Sequence, residues 1–135
     1  MAEKFHLQII TPHRIFLDDK VERVIIRSTE GDFAILHDHI PMVTPLRIGK
    51  MTIINEGKSR EAAMAGGFVH IDLDKTVVML DAAEWPDEID VNRAKKAKER
   101  AEDRLKNNHG NIDQIRAEIA LNKALNRLNL VEKHK

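Results

Sequence analysis

Apolar and polar residues alternate along the first part of the chain, to about residue 80. Phe5, Leu7 and Ile9 show this period of two, and Thr11-Pro12 ends their run. Turn residues interrupt the pattern at the roughly 8–12-residue spacing that is typical of β-sandwiches and barrels. Similar runs lie at 14–17, 23–27, 33–36, 51–54, 61–65, 68–71 and 76–80. We predict about ten strands in two packed antiparallel sheets.

After Trp85-Pro86 the pattern changes to Ala, Lys, Glu, Arg and Leu at helical spacing. Asp90 is placed to cap a first helix. Gly110, suited to a positive φ, lies in a short polar break, and a second helix is predicted from about Ile112 to about Val131. Such a short connection makes an antiparallel two-helix hairpin. The predicted class is therefore α+β, mainly β, with a sandwich domain at 1–84 and a helical hairpin at 85–135.

The two predicted helices differ in their apolar faces. The first has a narrow stripe of small residues, which lets a partner helix lie close: Ala94, Ala97, Ala101 and Leu105. The second is apolar on two nearly opposite sides, with Ile112, Ile115 and Ile119 on one and Leu121, Ala124, Leu125 and Leu128 on the other. Such a helix is commonly sandwiched between elements, and a hairpin that leaves one side uncovered is a candidate mobile element.

Composition narrows the range of functions. The 135 residues allow one modest domain with an appendage, and 22 basic against 22 acidic residues leave no net charge. A generic nucleic-acid or membrane-surface binder is therefore not expected. The absence of cysteine excludes disulfides, thiolate metal sites and thiol catalysis. We also expect a soluble chain, because no apolar run approaches the roughly 20 residues that span a bilayer.

Cations recur at matching positions on both predicted helices. Arg93, Arg100 and Arg104 have spacings of seven and four, which Arg116, Lys123 and Arg127 repeat. In an antiparallel pair the two stripes can converge, and a polyphosphate between them would relieve their repulsion. Asp90 is placed to fix Arg93 or to accept a bond from a ribose or an adenine amino group. The alternative is that both stripes are solvated faces paired with nearby acidic residues.

Candidate catalytic and metal motifs are few. His37-Asp38-His39 offers zinc-type ligands without a third and fourth partner, so a turn histidine bonded to the backbone before Pro41 is favoured over a metal-dependent enzyme. The chain has no P-loop and no Gly-x-Ser-x-Gly nucleophile motif. Gly66-Gly67 indicates a bulge or a close backbone approach within a strand. We predict no catalytic residue, no catalytic cofactor and no metal ligand.

Longer strings of residues resemble the bacterial epsilon subunits of F-type ATP synthase from end to end. Phe5–Pro12 is similar to that family's opening strand, and Gly66–Phe68 to its glycine pair. Gly31–Leu46 is similar to its Gly-x-x-x-Ile-Leu-x-x-His-x-Pro-x-Val-x-x-Leu signature. The resemblance implies a β-sandwich followed by two helices, which agrees with the pattern read from the residues alone.

The resemblance also implies a function and partners. It indicates a non-catalytic central-stalk subunit whose sandwich contacts the gamma subunit and the c-ring, at the cytoplasmic face of the bacterial plasma membrane. It implies that the hairpin can extend toward the alpha and beta subunits and inhibit ATP hydrolysis. An exchange between two such states agrees with the two-faced second helix.

A nucleotide site follows from the same resemblance. Some members bind ATP through an Ile/Leu-Asp-x-x-Arg-Ala motif, which this chain matches at Ile89–Ala94. Lys123 carries the charge of a family arginine without its bidentate fork. The implied ATP-binding set, with magnesium left open, is Glu84, Ile89, Asp90, Arg93, Ala94, Arg100, Lys123 and Arg127. We expect ATP to stabilise the folded hairpin, the alternative being a purely structural hairpin with no nucleotide response.

Overall fold

The computed structural model describes residues 3–107 and 110–134, in two compact units, Met1–Glu84 and Trp85–Lys135. The first unit contains eight strands, and the second contains a short 3-10 turn, Pro86–Glu88, and two helices. The strands are β1 Phe5–Ile10, β2 Ile15–Val21, β3 Arg23–Ser28, β4 Gly31–Ile35, β5 Met42–Leu46, β6 Gly49–Asn55, β7 Lys58–Ile71 and β8 Lys75–Glu84. The helices are α1 Val91–Asn107 and α2 Asn111–Lys133.

The strands of the first unit join into one sandwich-like sheet in the order β2-β1-β8-β7-β5-β3-β4, and β6 pairs with β3 and β7. The predicted sandwich followed by a helical hairpin is confirmed. The strand count of about ten was too high, since the described residues form eight strands. The described strand pairs are antiparallel, as predicted, with the exception of β1 and β8, which run parallel. Hydrophobic alternation does not show which strand pairs with β1, so the sequence pattern could not predict whether that pair is parallel or antiparallel.

Two predicted strands, 61–65 and 68–71, are parts of the single long strand β7. The glycine pair between the two runs lies inside this strand, and Gly67 has a φ of +150°. A Cβ added to Gly67 would lie 2.0 Å from the carbonyl oxygen of Met79 on β8. The predicted close backbone approach is therefore confirmed, and glycine is required because any side chain would collide with the neighbouring strand.

Strand β5 was not anticipated, because its sequence Met-Val-Thr-Pro-Leu contains a proline. A proline removes a ladder hydrogen bond and is tolerated where one side of the strand is unpaired. β5 pairs along its length with β7, while its pairing with β3 involves only Ser28 and Leu46. Pro45 therefore occupies a strand that is nearly an edge, which explains how it fits into the sheet.

The sandwich interior follows the predicted alternation. Leu7 and Ile9 on β1 are completely buried, as is Val78 on the neighbouring β8. The other completely buried aliphatic residues of this unit include Val24, Ile26, Ile35, Met51 and Val69. Each fully buried side chain of this size contributes about 1.5–3 kcal/mol, so burial of these residues stabilises the first unit.

The hairpin packs through small residues at seven-residue spacing. α1 and α2 contact each other along their length, and the buried alanines are Ala94 and Ala101 on α1 and Ala117 and Ala124 on α2. Gly110 precedes α2 with a φ of +103°, as predicted. No helix in the described part of the chain is both long enough and apolar enough to cross a membrane.

The two-sided character of α2 is also present in the structure. Ala124 on one side is buried, whereas Ile115 and Ile119 on the other side are 56% and 43% exposed. The side chain of Ile112 lies outside the described residues. An uncovered pair of isoleucines is therefore available on this helix for a different partner.

Candidate functional site

The predicted nucleotide motif lies at the start of α1. Ile89 is buried and Asp90 is exposed, immediately before the first helical residue. The Asp90 carboxylate accepts a hydrogen bond of 3.0 Å from the backbone amide of Arg93, and its carbonyl accepts one of 3.0 Å from the amide of Ala94. Asp90 is thus the helix cap, as its position in the sequence predicted. Its carboxylate binds the main chain of Arg93, and not the guanidinium.

A groove of about 590 Å³ follows the outer side of α1. Its described lining consists of three cations (Arg93, Lys96 and Arg100), three acidic residues (Asp90, Glu99 and Asp103) and Asn92. At 3.6 residues per turn, the three cations fall within an arc of about 60°. We call Arg93, Lys96 and Arg100 the cationic face. On the same wheel Asp103 and Glu99 lie within about 60° of Lys96, so acidic side chains flank the cationic face on one side.

The cationic face has no internal counterion. Among residues 3–107 and 110–134, no ion pair involves Arg93, Lys96 or Arg100, and all three side chains are exposed. Like charges one turn apart on a helix repel by a few tenths of a kcal/mol. An anion of extended shape would remove this repulsion and gain charge-assisted hydrogen bonds.

The other predicted site residues lie on different elements. Lys123 and Arg127 are half-buried on α2, and Arg116 on that helix is exposed. None of the three is among the described lining of the α1 groove. Glu84 is the last residue of β8. The eight-residue ATP-binding set therefore stays a prediction, of which Asp90, Arg93 and Arg100 share one groove.

A second candidate surface is the outer face of the sandwich across β5, β7, β8, β1 and β2. The register places Pro45 opposite Phe68, Phe68 opposite Met79, Met79 opposite Ile10 and Ile10 opposite Ile15. Directly paired residues point to the same side of a sheet, so these five form one line across the strands, about 19 Å long. We call Pro45, Phe68, Met79, Ile10 and Ile15 the apolar row.

The apolar row is open to solvent at several points. Phe68 is 43% exposed and Ile15 is 59% exposed, and Val43, next to the row on β5, is 63% exposed. The outer face of an antiparallel sheet is ordinarily polar when it meets only water. A line of large apolar side chains on such a face indicates a surface for another protein.

Polar residues border the apolar row. His6 Nε2 lies 2.5 Å from Asp18 Oδ1, and Gln8 donates a hydrogen bond of 3.3 Å to the other carboxylate oxygen. The hydrogen bond from His6, together with the charge of His6 and the hydrogen bond from Gln8, lowers the pKa of Asp18 below its ordinary value. Asp18 therefore keeps its negative charge beside the row at pH values where a free carboxyl would begin to protonate.

The histidine cluster does not assemble a metal site among the described residues. His39 Nδ1 lies 2.9 Å from the Ile40 carbonyl oxygen, so the predicted backbone-bonded turn histidine is confirmed. His37 Nε2 is instead 2.7 Å from a carboxylate oxygen of Glu3. The two imidazoles have separate partners, which leaves the metal-enzyme alternative without support from the geometry.

The chain matches known proteins in both of its parts. Residues 4–86 match the family described as ATP synthase, Delta/Epsilon chain, beta-sandwich domain, and residues 87–132 match its long alpha-helix domain. The ATP synthase epsilon chain of Alkaliphilus metalliredigens is 56% identical over 132 residues, 98% of both chains. That of Caldicellulosiruptor saccharolyticus is 45% identical over 135 residues, 100% of this chain and 98% of the relative.

A solved structure has the same fold. A chain of the Euglena gracilis mitochondrial ATP synthase (OSCP/F1/c-ring, rotational state 1) superposes with a TM-score of 0.81 at 24% identity. The match covers 99% of this chain and 82% of that chain. At this identity the likeness speaks for the fold alone.

Proposed function

Because the chain belongs to the family of ATP synthase epsilon chains, we propose that it is a non-catalytic rotor subunit of the F-type enzyme's central stalk. In this role the sandwich is a rigid adaptor that transmits rotation without performing chemistry. The subunit is peripheral, at the cytoplasmic face of the bacterial plasma membrane, where the enzyme couples ion flow to ATP synthesis. The c-ring is the second partner of the sandwich.

The apolar row is the observation that supports docking to the gamma subunit. Five neighbouring side chains span β5, β7, β8, β1 and β2, and the exposed part of each would be covered by a complementary surface. Interfaces of stable complexes have an apolar centre and a polar border. Asp18 and His6 supply such a border beside the row.

The hairpin is the regulatory part of this proposal. Its small-residue packing leaves Ile115 and Ile119 uncovered in the folded state. In an extended state these side chains would be buried against the alpha and beta subunits, where the hairpin acts as a brake on ATP hydrolysis. Each state then covers a different side of α2, which allows an exchange between them.

ATP is the proposed signal for this exchange. The cationic face of α1 lacks an internal counterion in the described residues, and a polyphosphate would supply one. ATP bound to the folded hairpin stabilises that state by mass action, so a fall in ATP releases the brake helix. The predicted set Glu84, Ile89, Asp90, Arg93, Ala94, Arg100, Lys123 and Arg127 would hold the nucleotide.

The test is reconstitution with a core complex of alpha, beta and gamma subunits that lacks this chain. We expect the full chain to bind only when gamma is present, and to slow ATP hydrolysis more at low than at high ATP. An Ile115→Ser, Ile119→Ser double variant should bind equally well and inhibit less. Binding that does not depend on gamma would refute the docking proposal, and equal inhibition by the variant would refute the proposed brake.

A further inference from the structure

Lys96 occupies the middle of the cationic face. It lies one turn after Arg93 and one turn before Arg100, and all three line the same groove. Neither the nucleotide motif at Ile89–Ala94 nor the seven-residue arginine spacing includes this position. Its side chain is exposed, and it forms no ion pair with any residue in 3–107 or 110–134.

From this position we propose that Lys96 is a further polyphosphate-binding residue, so that α1 alone presents a row of three phosphate contacts. This inference rests on the proposed ATP site and names a residue within it. Successive turns of a helix are about 5.4 Å apart, so a row over two turns matches an extended polyphosphate better than a single phosphate. Arginine gives bidentate contacts at either end, and lysine gives a point charge between them.

Lys123 and Arg127 are not among the described lining residues of this groove. A third cation on α1 therefore adds a phosphate contact to a site in which Lys123 lacks the bidentate fork of an arginine. Glu99 and Asp103, which flank Lys96 on the same helix, would disfavour an anion displaced from the row toward them, which helps to fix its position.

The experiment is calorimetric titration of the full chain with ATP, ADP and AMP, using Lys96→Gln beside a matched control, Lys95→Gln. Both changes remove one positive charge from an exposed position of α1, and only Lys96 lines the groove. Single exposed charge contacts are worth about 0.2–1 kcal/mol, so we expect Lys96→Gln to weaken ATP binding by a factor of about 1.4 to 5. The loss should be smaller for ADP and absent for AMP.

Two further readouts separate a phosphate contact from a structural effect. Lys96→Gln should reduce the salt dependence of ATP affinity, and Lys96→Arg should restore both affinity and salt dependence. If Lys96→Gln matches Lys95→Gln while Arg93→Gln loses ATP binding, the inference about Lys96 is wrong and the proposed site stands. If the unsubstituted chain binds no ATP, the proposed site and the inference fail together.

Discussion

Phe68 provides the sharpest test of the docking surface. It lies inside the apolar row and is 43% exposed. A phenylalanine side chain can bury about 150–250 Å², so a partner would cover about 65–110 Å² of this ring. At about 25 cal/mol per Å², that area contributes about 1.6–2.7 kcal/mol to docking. Replacement of Phe68 by serine should therefore weaken binding to the gamma subunit about 15- to 100-fold.

The assay is the affinity of the full chain for a core complex that contains gamma, measured by biolayer interferometry. Leu73→Ser is the matched control, because Leu73 is 82% exposed in the turn between β7 and β8 and lies outside the apolar row. We expect the control to bind as tightly as the unsubstituted chain. A Phe68→Ser chain whose affinity stays within about threefold, or about 0.7 kcal/mol, would refute the reasoning.

Three further outcomes are expected. Gly67→Ala should lower the melting temperature of the sandwich by about 10 °C or more, because its Cβ would lie 2.0 Å from the Met79 carbonyl oxygen; an unchanged melting curve would contradict this. In a pH titration by NMR, His6→Ala should raise the pKa of Asp18 toward its ordinary value of 3.8. Because folding lowers the pKa of Asp18, the ionised carboxylate stabilises the fold above pH 3.8, and this stabilisation is lost as the pH falls further. Asp90→Ala should speed amide exchange in the first turn of α1 roughly fivefold, whereas Asp90→Asn, which keeps the cap, should not; equal exchange in both variants would exclude the capping role.

The capping bond also bears on how nucleotide binding is tested. Asp90→Ala removes both a charge and a helix cap, so a loss of ATP binding in that variant has two causes. Asp90→Asn keeps a side-chain oxygen that accepts the amide hydrogen bond and removes only the charge. If the carboxylate contacts the nucleotide directly, Asp90→Asn will also weaken ATP binding; if it acts through the helix, binding will be preserved.

Much of the fold could be predicted from periodicity, because each half has one clear period. Alternation along Phe5, Leu7 and Ile9 identified an inner face that proved to be buried, and alanines at seven-residue spacing identified the packed stripe of α1. Gly110 was recognised from the conformation its position requires. These signals are local, so the sequence carries them without reference to the rest of the chain.

Features that depend on pairing between strands far apart in the sequence could not be predicted from local periodicity. β1 pairs in parallel with β8, which is the last strand of the sandwich domain in the sequence, and no local pattern predicts this contact. β5 was missed because Pro45 is unfavourable in a strand unless one side is unpaired. The joining of two runs into β7 required knowledge that Gly67 faces the Met79 carbonyl.

The apolar row was not predicted from the sequence, although the sequence contains one indication of it. Val77–Leu80 is apolar at every position, which differs from the alternation expected for a sheet with one solvated face. Such a run indicates that both faces of the strand have apolar surroundings. Lys96 does not belong to the seven-and-four spacing of Arg93, Arg100 and Arg104, so that spacing does not point to it.

Hydroxyl-radical footprinting of the full chain, with and without the gamma subunit, tests the central claim most directly. Met79 and Phe68 report on the apolar row, and completely buried Met51 serves as an internal reference. The account predicts that gamma lowers the oxidation of Met79 and Phe68 severalfold and leaves Leu73 in the β7–β8 turn unchanged. Oxidation of Met79 and Phe68 that is the same in the free and the gamma-bound chain would contradict the account.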